Sequence, residues 1–257
     1  MMAVRLISAA FLVVCLSLSG KAQMKASPDV GIDEKLGAPV ALDTVLKNEQ
    51  GNDVRLRDYV DKPTILTFVY LRCPGVCPVL INSLAKVINE TKLEPGKDFR
   101  LVAVSFDPSD TPELAREKKA NYLNQLQRPF SPGDWHFLTG TAANSRIVAD
   151  SAGFRYRQEG DMFVHPGAIM LLTPEGVLSR YIYGNTFVTA DVEMAIKEAA
   201  GGQVRPTVSR MLAFCYTYDP EGRGYVFSVT RFAGAVTLVV AGVFLIFVFR
   251  KKPRRHK

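Results

Sequence analysis

The chain has 257 residues, of which 47% are hydrophobic and 22% charged, and its formal net charge is +7. That length accommodates one domain of ordinary size with segments left over at its ends. The excess charge is terminal: residues 1–22 hold two basic side chains and residues 250–257 hold six, neither segment holds an acid, and without them 24 basic residues face 25 acidic ones. A domain so nearly neutral offers no electrostatic footprint for nucleic acid, and that class of partner is excluded.

In chain order, basic Arg5, an apolar run over residues 6–18 and then Ser19, Gly20, Lys21 and Ala22 have the plan of a secretory signal peptide, predicted over 1–22. An uncleaved signal anchor is the alternative. Val14, bulky and next to Cys15, argues against lipidation. Residues 23–35 are polar and aperiodic and read as a linker, with folding predicted to begin near Leu36.

The domain is predicted over 36–202. Ala41-Leu42-Asp43 and residues 52–56 read as a hairpin across Gly51. Residues 64–70 are an unbroken β-branched and aromatic run, the pattern of a strand buried on both faces. Residues 78–90 place Val79, Leu80, Leu84, Val87 and Ile88 at helical spacing behind Pro78. A second buried strand is expected over 101–106, and Thr111-Pro112-Glu113 opens a helix with a capping hydroxyl and a first-turn proline. A helix over 142–151, strands over 168–172 and 177–183 joined by Thr173-Pro174-Glu175-Gly176, and a helix over 190–200 stopped by Gly201-Gly202 complete it. This order is an α/β architecture with a mixed central sheet flanked by helices, as in thioredoxin-like folds.

Beyond a juxtamembrane segment over 203–231, residues 232–249 carry no charge and meet the length for one C-terminal transmembrane helix. The basic tail over 250–257 is expected to stay in the cytoplasm, which puts the domain outside.

Cys73-Pro74-Gly75-Val76-Cys77 stands between the buried strand and the helix behind it. Amide groups at a helix N-terminus stabilise anions, so thiols placed there ionise readily and become nucleophiles or metal ligands. Three readings compete: a structural disulfide closing a very short loop, dithiol redox chemistry, and metal binding. Thioredoxin-type redox motifs have two residues between the cysteines and this motif has three. Two thiolates select soft metals, Cu(I) or Zn. Of the three histidines, His256 lies in the tail and His136 follows Trp135 in a packing context, while His165 precedes the 168–183 hairpin. In thioredoxin-like folds the loop entering that hairpin lies beside the cysteine pair, which completes a Cys2His set. Asp107 and Asp110 read as capping groups of a strand-to-helix loop rather than as an acid/base pair.

Residues 67–78 (Thr-Phe-Val-Tyr-Leu-Arg-Cys-Pro-Gly-Val-Cys-Pro), Val104-Ser105-Phe106-Asp107-Pro108, Asp110-Thr111-Pro112, Trp135-His136-Phe137-Leu138-Thr139-Gly140, His165 and Leu172-Thr173-Pro174-Glu175-Gly176 closely resemble the Sco/SenC family over roughly residues 33 to 200. The resemblance implies a thioredoxin-fold metallochaperone that binds one copper ion, as Cu(I) or Cu(II), through Cys73, Cys77 and His165. It would assist assembly of the dinuclear copper A site of cytochrome c oxidase. The implied partners are the oxidase copper-site subunit and a periplasmic copper donor; the implied location is the bacterial inner membrane, single-pass, with the domain periplasmic. The competing function is a thiol-disulfide oxidoreductase in which Cys73 and Cys77 reduce the oxidase cysteines, and a peroxidase ranks behind it. Two departures stand out: many members have aspartate before the ligand histidine and serine or threonine after it, where this chain has Val164 and Pro166, and many are anchored at the N-terminus, where this chain has its predicted span at the C-terminal end. Residues 214–220, with Cys215, resemble a bacterial branch that has a Tyr-Asp-Pro segment before a C-terminal span. Cys215 itself reads as an inert cysteine in preference to a resolving thiol or a copper contact.

Overall fold

The computed structural model describes residues 29–205 throughout, the backbone of residues 216–219 and 224–227, and positions 237 and 240–242. In chain order the strands are β1 (Gly31–Ile32), β2 (Val45–Lys47), β3 (Asp53–Arg55), β4 (Thr64–Val69), β5 (Arg100–Ser105), β6 (Trp135–Leu138), β7 (Phe154–Arg155), β8 (Arg157–Glu159), β9 (Met162–Val164), β10 (Ala168–Leu172), β11 (Leu178–Tyr183), β12 (Tyr216–Asp219) and β13 (Gly224–Phe227). The α-helices are α1 (Val76–Glu90), α2 (Pro112–Leu123), α3 (Ala142–Ser151) and α4 (Thr189–Ala200).

Five strands form the central sheet in the order β11-β10-β4-β5-β6. β4, β5 and β6 run parallel, and β10 and β11 join antiparallel to β4. The sheet is therefore mixed, the helices flank it, and the α/β class expected from the sequence is the one observed. β4 is buried at every position, since β5 and β10 take its two edges and helices cover its faces. Helix α1 turns Leu80, Ile81, Leu84, Val87 and Ile88 into the core, each contributing about 1.5–3 kcal/mol by leaving water. Thr111 and Thr141 cap α2 and α3, each hydroxyl accepting the backbone N–H three residues on.

Four local differences have physical causes. The first hairpin pairs Val45–Lys47, not residues 41–43, with Asp53–Arg55, because Asn48 Oδ1 accepts from the Gln50 and Asn52 amides and fixes the turn there. Trp135–Leu138 forms an edge strand in addition to those expected from the sequence. Helix α1 begins at Val76, so Cys77 lies inside its first turn and Pro78 occupies the third helical position, where no amide partner is needed. Gly31–Ile32, within the stretch read as linker, pairs with Phe154–Arg155.

That last pairing depends on Gly153, whose φ of 67° is left-handed and where any Cβ would overlap the Asp33 carbonyl oxygen. Gly153→Ala is expected to destabilise the fold by about 1–3 kcal/mol, read as a lowered urea midpoint with an unchanged slope.

Among the described residues no helix is long and apolar enough to cross a membrane. The predicted signal peptide, Cys215, His256 and most of the predicted span over 232–249 lie outside them.

Candidate metal centre

The sheet brings the chemistry to one end. β4 stops at Val69 and the chain passes through Tyr70, Leu71 and Arg72 into Cys73, with Cys73 N–H bonded back to Tyr70 C=O at 3.2 Å. Helix α1 follows immediately, and its N-cap, Gly75, has no side chain to satisfy the free amides. The Cys73 sulfur does this instead, accepting from Gly75 N–H at 3.4 Å and Cys77 N–H at 3.5 Å. A local need of the helix thus fixes where the first sulfur sits. Cys77, one residue into the helix, points its sulfur back at the same place.

β9 supplies the third group. Along it Met162 and Val164 face solvent, so Phe163 and, beyond the strand, His165 turn inward. The imidazole sits among Phe106, Tyr70 and Phe154, with ring centroids 5.2, 5.8 and 6.3 Å away. His165 Nδ1 lies 3.0 Å from Pro166 C=O. A carbonyl only accepts, so Nδ1 carries the proton and Nε2 presents a lone pair. Nε2 is 3.6 Å from Cys77 Sγ. The orienting group that position 164 does not supply is therefore a backbone carbonyl one residue beyond the histidine.

Both thiols are free, and the ligand atoms of Cys73, Cys77 and His165 lie within 4.8 Å of one another. Two bonds of about 2.3 Å to one ion allow a separation of about 4.6 Å, so side-chain rotation alone closes the set. No carboxylate belongs to it, and the donors are soft. The other histidine in the described residues, His136, is on β6, with Nε2–H donated to Gly133 C=O at 2.7 Å and its ring against Tyr59. Burial pushes its pKa down.

Electrostatically the two thiols diverge. The Cys77 S–H donates to Cys73, which together with the helix amides draws Cys73 down to about 3 against the opposing effect of burial. Cys77 is pushed up by the same shared proton and by burial. Burial pushes the neighbouring Tyr70 hydroxyl up to about 12. The pair behaves as one thiolate and one thiol. Alkylation of Cys73 by iodoacetamide in the metal-free chain is expected to be nearly independent of pH from roughly pH 5 to pH 8, where a free thiol with pKa about 8.5 changes its thiolate fraction by orders of magnitude. A rate climbing tenfold per unit, about the slope of an ordinary thiol, contradicts this.

Asp107 behaves as the loop cap expected, accepting Ser109 N–H at 2.8 Å. Asp110 does not cap. Its Oδ2 accepts Leu71 N–H and the Ser105 hydroxyl, both at 2.7 Å, directly behind the cysteine segment, and burial raises its pKa against those two bonds.

The family model described as SCO1/SenC matches residues 34–201. The SCO1 protein homolog of Bacillus subtilis is 27% identical over 141 residues, 52% of this chain and 69% of that protein. Against the mitochondrial relatives the chain spans about half of their length. Among solved structures, one from Aquifex aeolicus VF5 is 31% identical, covers 65% of this chain and 95% of its own, and superposes with a TM-score of 0.59. Arabidopsis thaliana ScoI with copper bound is 27% identical, covers 63% of this chain and 97% of its own, and has a TM-score of 0.52.

Proposed function

The chain belongs to the SCO1/SenC family, and from that premise we propose that it is a metallochaperone whose Cys73, Cys77 and His165 carry one copper ion to the copper A site of a cytochrome c oxidase. The observation that carries the reading is the convergence of two sulfurs and one imidazole nitrogen within 4.8 Å. Softness of the donors favours Cu(I), and the copper-bound plant relative supports copper over zinc. The oxidase as acceptor, and a periplasmic donor of the ion, follow from the family resemblance.

Three protein donors leave the cargo open to an incoming ligand. Cys73 retains 9% exposure against 4% for Cys77, so an acceptor thiol or imidazole meets Cys73 first and displaces it, and the remaining ligands follow one at a time. The test uses the full chain in detergent, reduced and anaerobic: one equivalent of Cu(I) is expected, with X-ray absorption reporting two sulfurs and one nitrogen. Failure to take up stoichiometric Cu(I) refutes the reading.

A second reading, thiol-disulfide oxidoreductase, is favoured by the lowered Cys73 beside a buried partner thiol. The Cys73 thiolate would attack a disulfide of the acceptor, and Cys77 would resolve the mixed disulfide, leaving two acceptor thiols and a Cys73–Cys77 disulfide. His165 has no part in that exchange. Oxidase assembly that survives His165→Ala would favour the reductase.

The same proposal anchors the chain by residues 232–249 in the bacterial inner membrane, single-pass, with the domain periplasmic and the C-terminus cytoplasmic; the charge pattern of the two ends supports it. Protease added to intact spheroplasts should digest the domain and spare a C-terminal tag, and the opposite pattern refutes the topology.

A further inference from the structure

The Asp110 side chain is fully enclosed, with 0% relative exposure. Its Oδ2 holds Leu71 N–H and the Ser105 hydroxyl, while Oδ1 has no hydrogen-bond partner and lies 3.7 Å from Arg72 Nη1. Ser105 ends β5, and its carbonyl accepts from the Ser145 hydroxyl of α3 at 2.8 Å. The grip on Leu71, two residues before Cys73, is thus anchored in the sheet and a helix. Arg72 reaches across the same gap, donating to the Ser109 carbonyl and hydroxyl.

Enclosing a carboxylate with one oxygen unpartnered costs stability, and an amide would make the same two accepted bonds at less cost. The charge therefore serves something beyond holding the loop. The Asp110 carboxylate stands directly behind the cysteine segment, bonded to Leu71 N–H at 2.7 Å two residues before Cys73, so its charge disfavours further negative charge at the sulfurs. Two thiolates with Cu(I) form a site of net charge −1, and with Cu(II) a neutral one. A fixed negative charge behind them raises the energy of the first relative to the second. The half-exposed Arg72 offsets this incompletely because water screens it.

We propose that Asp110 is a positioning residue of the metal centre, holding the Cys73 approach through Leu71 and setting through its charge the balance between cuprous and cupric cargo. This rests on the copper reading above. The experiment compares the full chain in detergent with Asp110→Asn and Asp110→Ala, titrated with Cu(I) and with Cu(II) against competing chelators. Hydrogen exchange at the Leu71 amide is followed in the metal-free chain.

Asparagine keeps both accepted bonds and removes the charge, so Leu71 should stay protected and the ratio of Cu(I) to Cu(II) affinity should rise about tenfold, the scale on which groups behind a ligand act. Alanine removes bond and charge together, so Leu71 exchange should accelerate and both affinities should fall. Should alanine prevent folding, Ser105→Ala, which weakens the anchor but keeps the charge, takes its place and should speed Leu71 exchange with the affinity ratio unmoved. An unchanged ratio in Asp110→Asn with Leu71 still protected overturns the proposal while leaving the copper reading intact. A wild-type chain that binds no copper overturns the copper reading itself, before any variant is compared.

Discussion

His165→Ala is expected to weaken Cu(I) binding by about a hundredfold or more, because a ligand is lost where an outer partner alone accounts for about 10–100-fold. The fold should persist, since the ring lies at the edge of the core and is half-buried. Cys73→Ala and Cys77→Ala should each abolish stoichiometric binding, because each removes one of only two soft thiolate donors and leaves a single sulfur beside the harder imidazole. X-ray absorption on the histidine variant should show the two sulfurs retained and the nitrogen gone. A chelator competition that gives the variant wild-type affinity would remove His165 from the ligand set and move the weight to the reductase reading.

The largest effect on stability is expected away from the metal, at Glu49. This turn residue has a side chain only 3% exposed, and its Oε1 accepts from Lys119 Nζ at 2.7 Å and from Phe137 N–H at 2.9 Å. It ties the first hairpin to α2 and β6 at once. Glu49→Ala leaves the Lys119 ammonium, 12% exposed, without its counter-charge, and costs about 3–5 kcal/mol. Thermal unfolding of the metal-free chain should fall by roughly ten degrees. The double variant Glu49→Leu/Lys119→Met should recover much of the loss, because neither charge is then stranded. A single variant as stable as the wild type would show that water reaches Lys119 and that the pair is a surface one.

Burial and periodicity make most of the sheet and helices legible. Residues 64–70 and 101–106 carry no charge and no alternating polar face because they occupy the middle of the sheet. Trp135–Leu138 escapes such a reading because four residues with a histidine at the second carry too short a pattern, and its pairing depends on a register with Leu101 that no local rule reveals. The β8–β9 hairpin escapes it for the opposite reason: five of its six residues are exposed, so the segment that orients His165 has almost no burial pattern of its own. The start of α1 reads two residues late from the sequence because capping rules look for a side-chain oxygen, and here the acceptor is sulfur. Asp110 is legible as an acid in a loop but not as an enclosed one, since its enclosure arises from the approach of Leu71, 39 residues earlier in the chain.

The sulfur that caps α1 has a limited number of lone pairs, and the helix shares them with whatever else binds there. An ion, an alkyl group or a second sulfur bonded to Cys73 competes directly with the amides of Gly75 and Cys77. Occupancy is thereby written into the backbone: those two amides exchange with solvent at a rate that reports the state of Cys73. A spectroscopically silent Cu(I) ion can be followed, residue by residue, through hydrogens that never touch it.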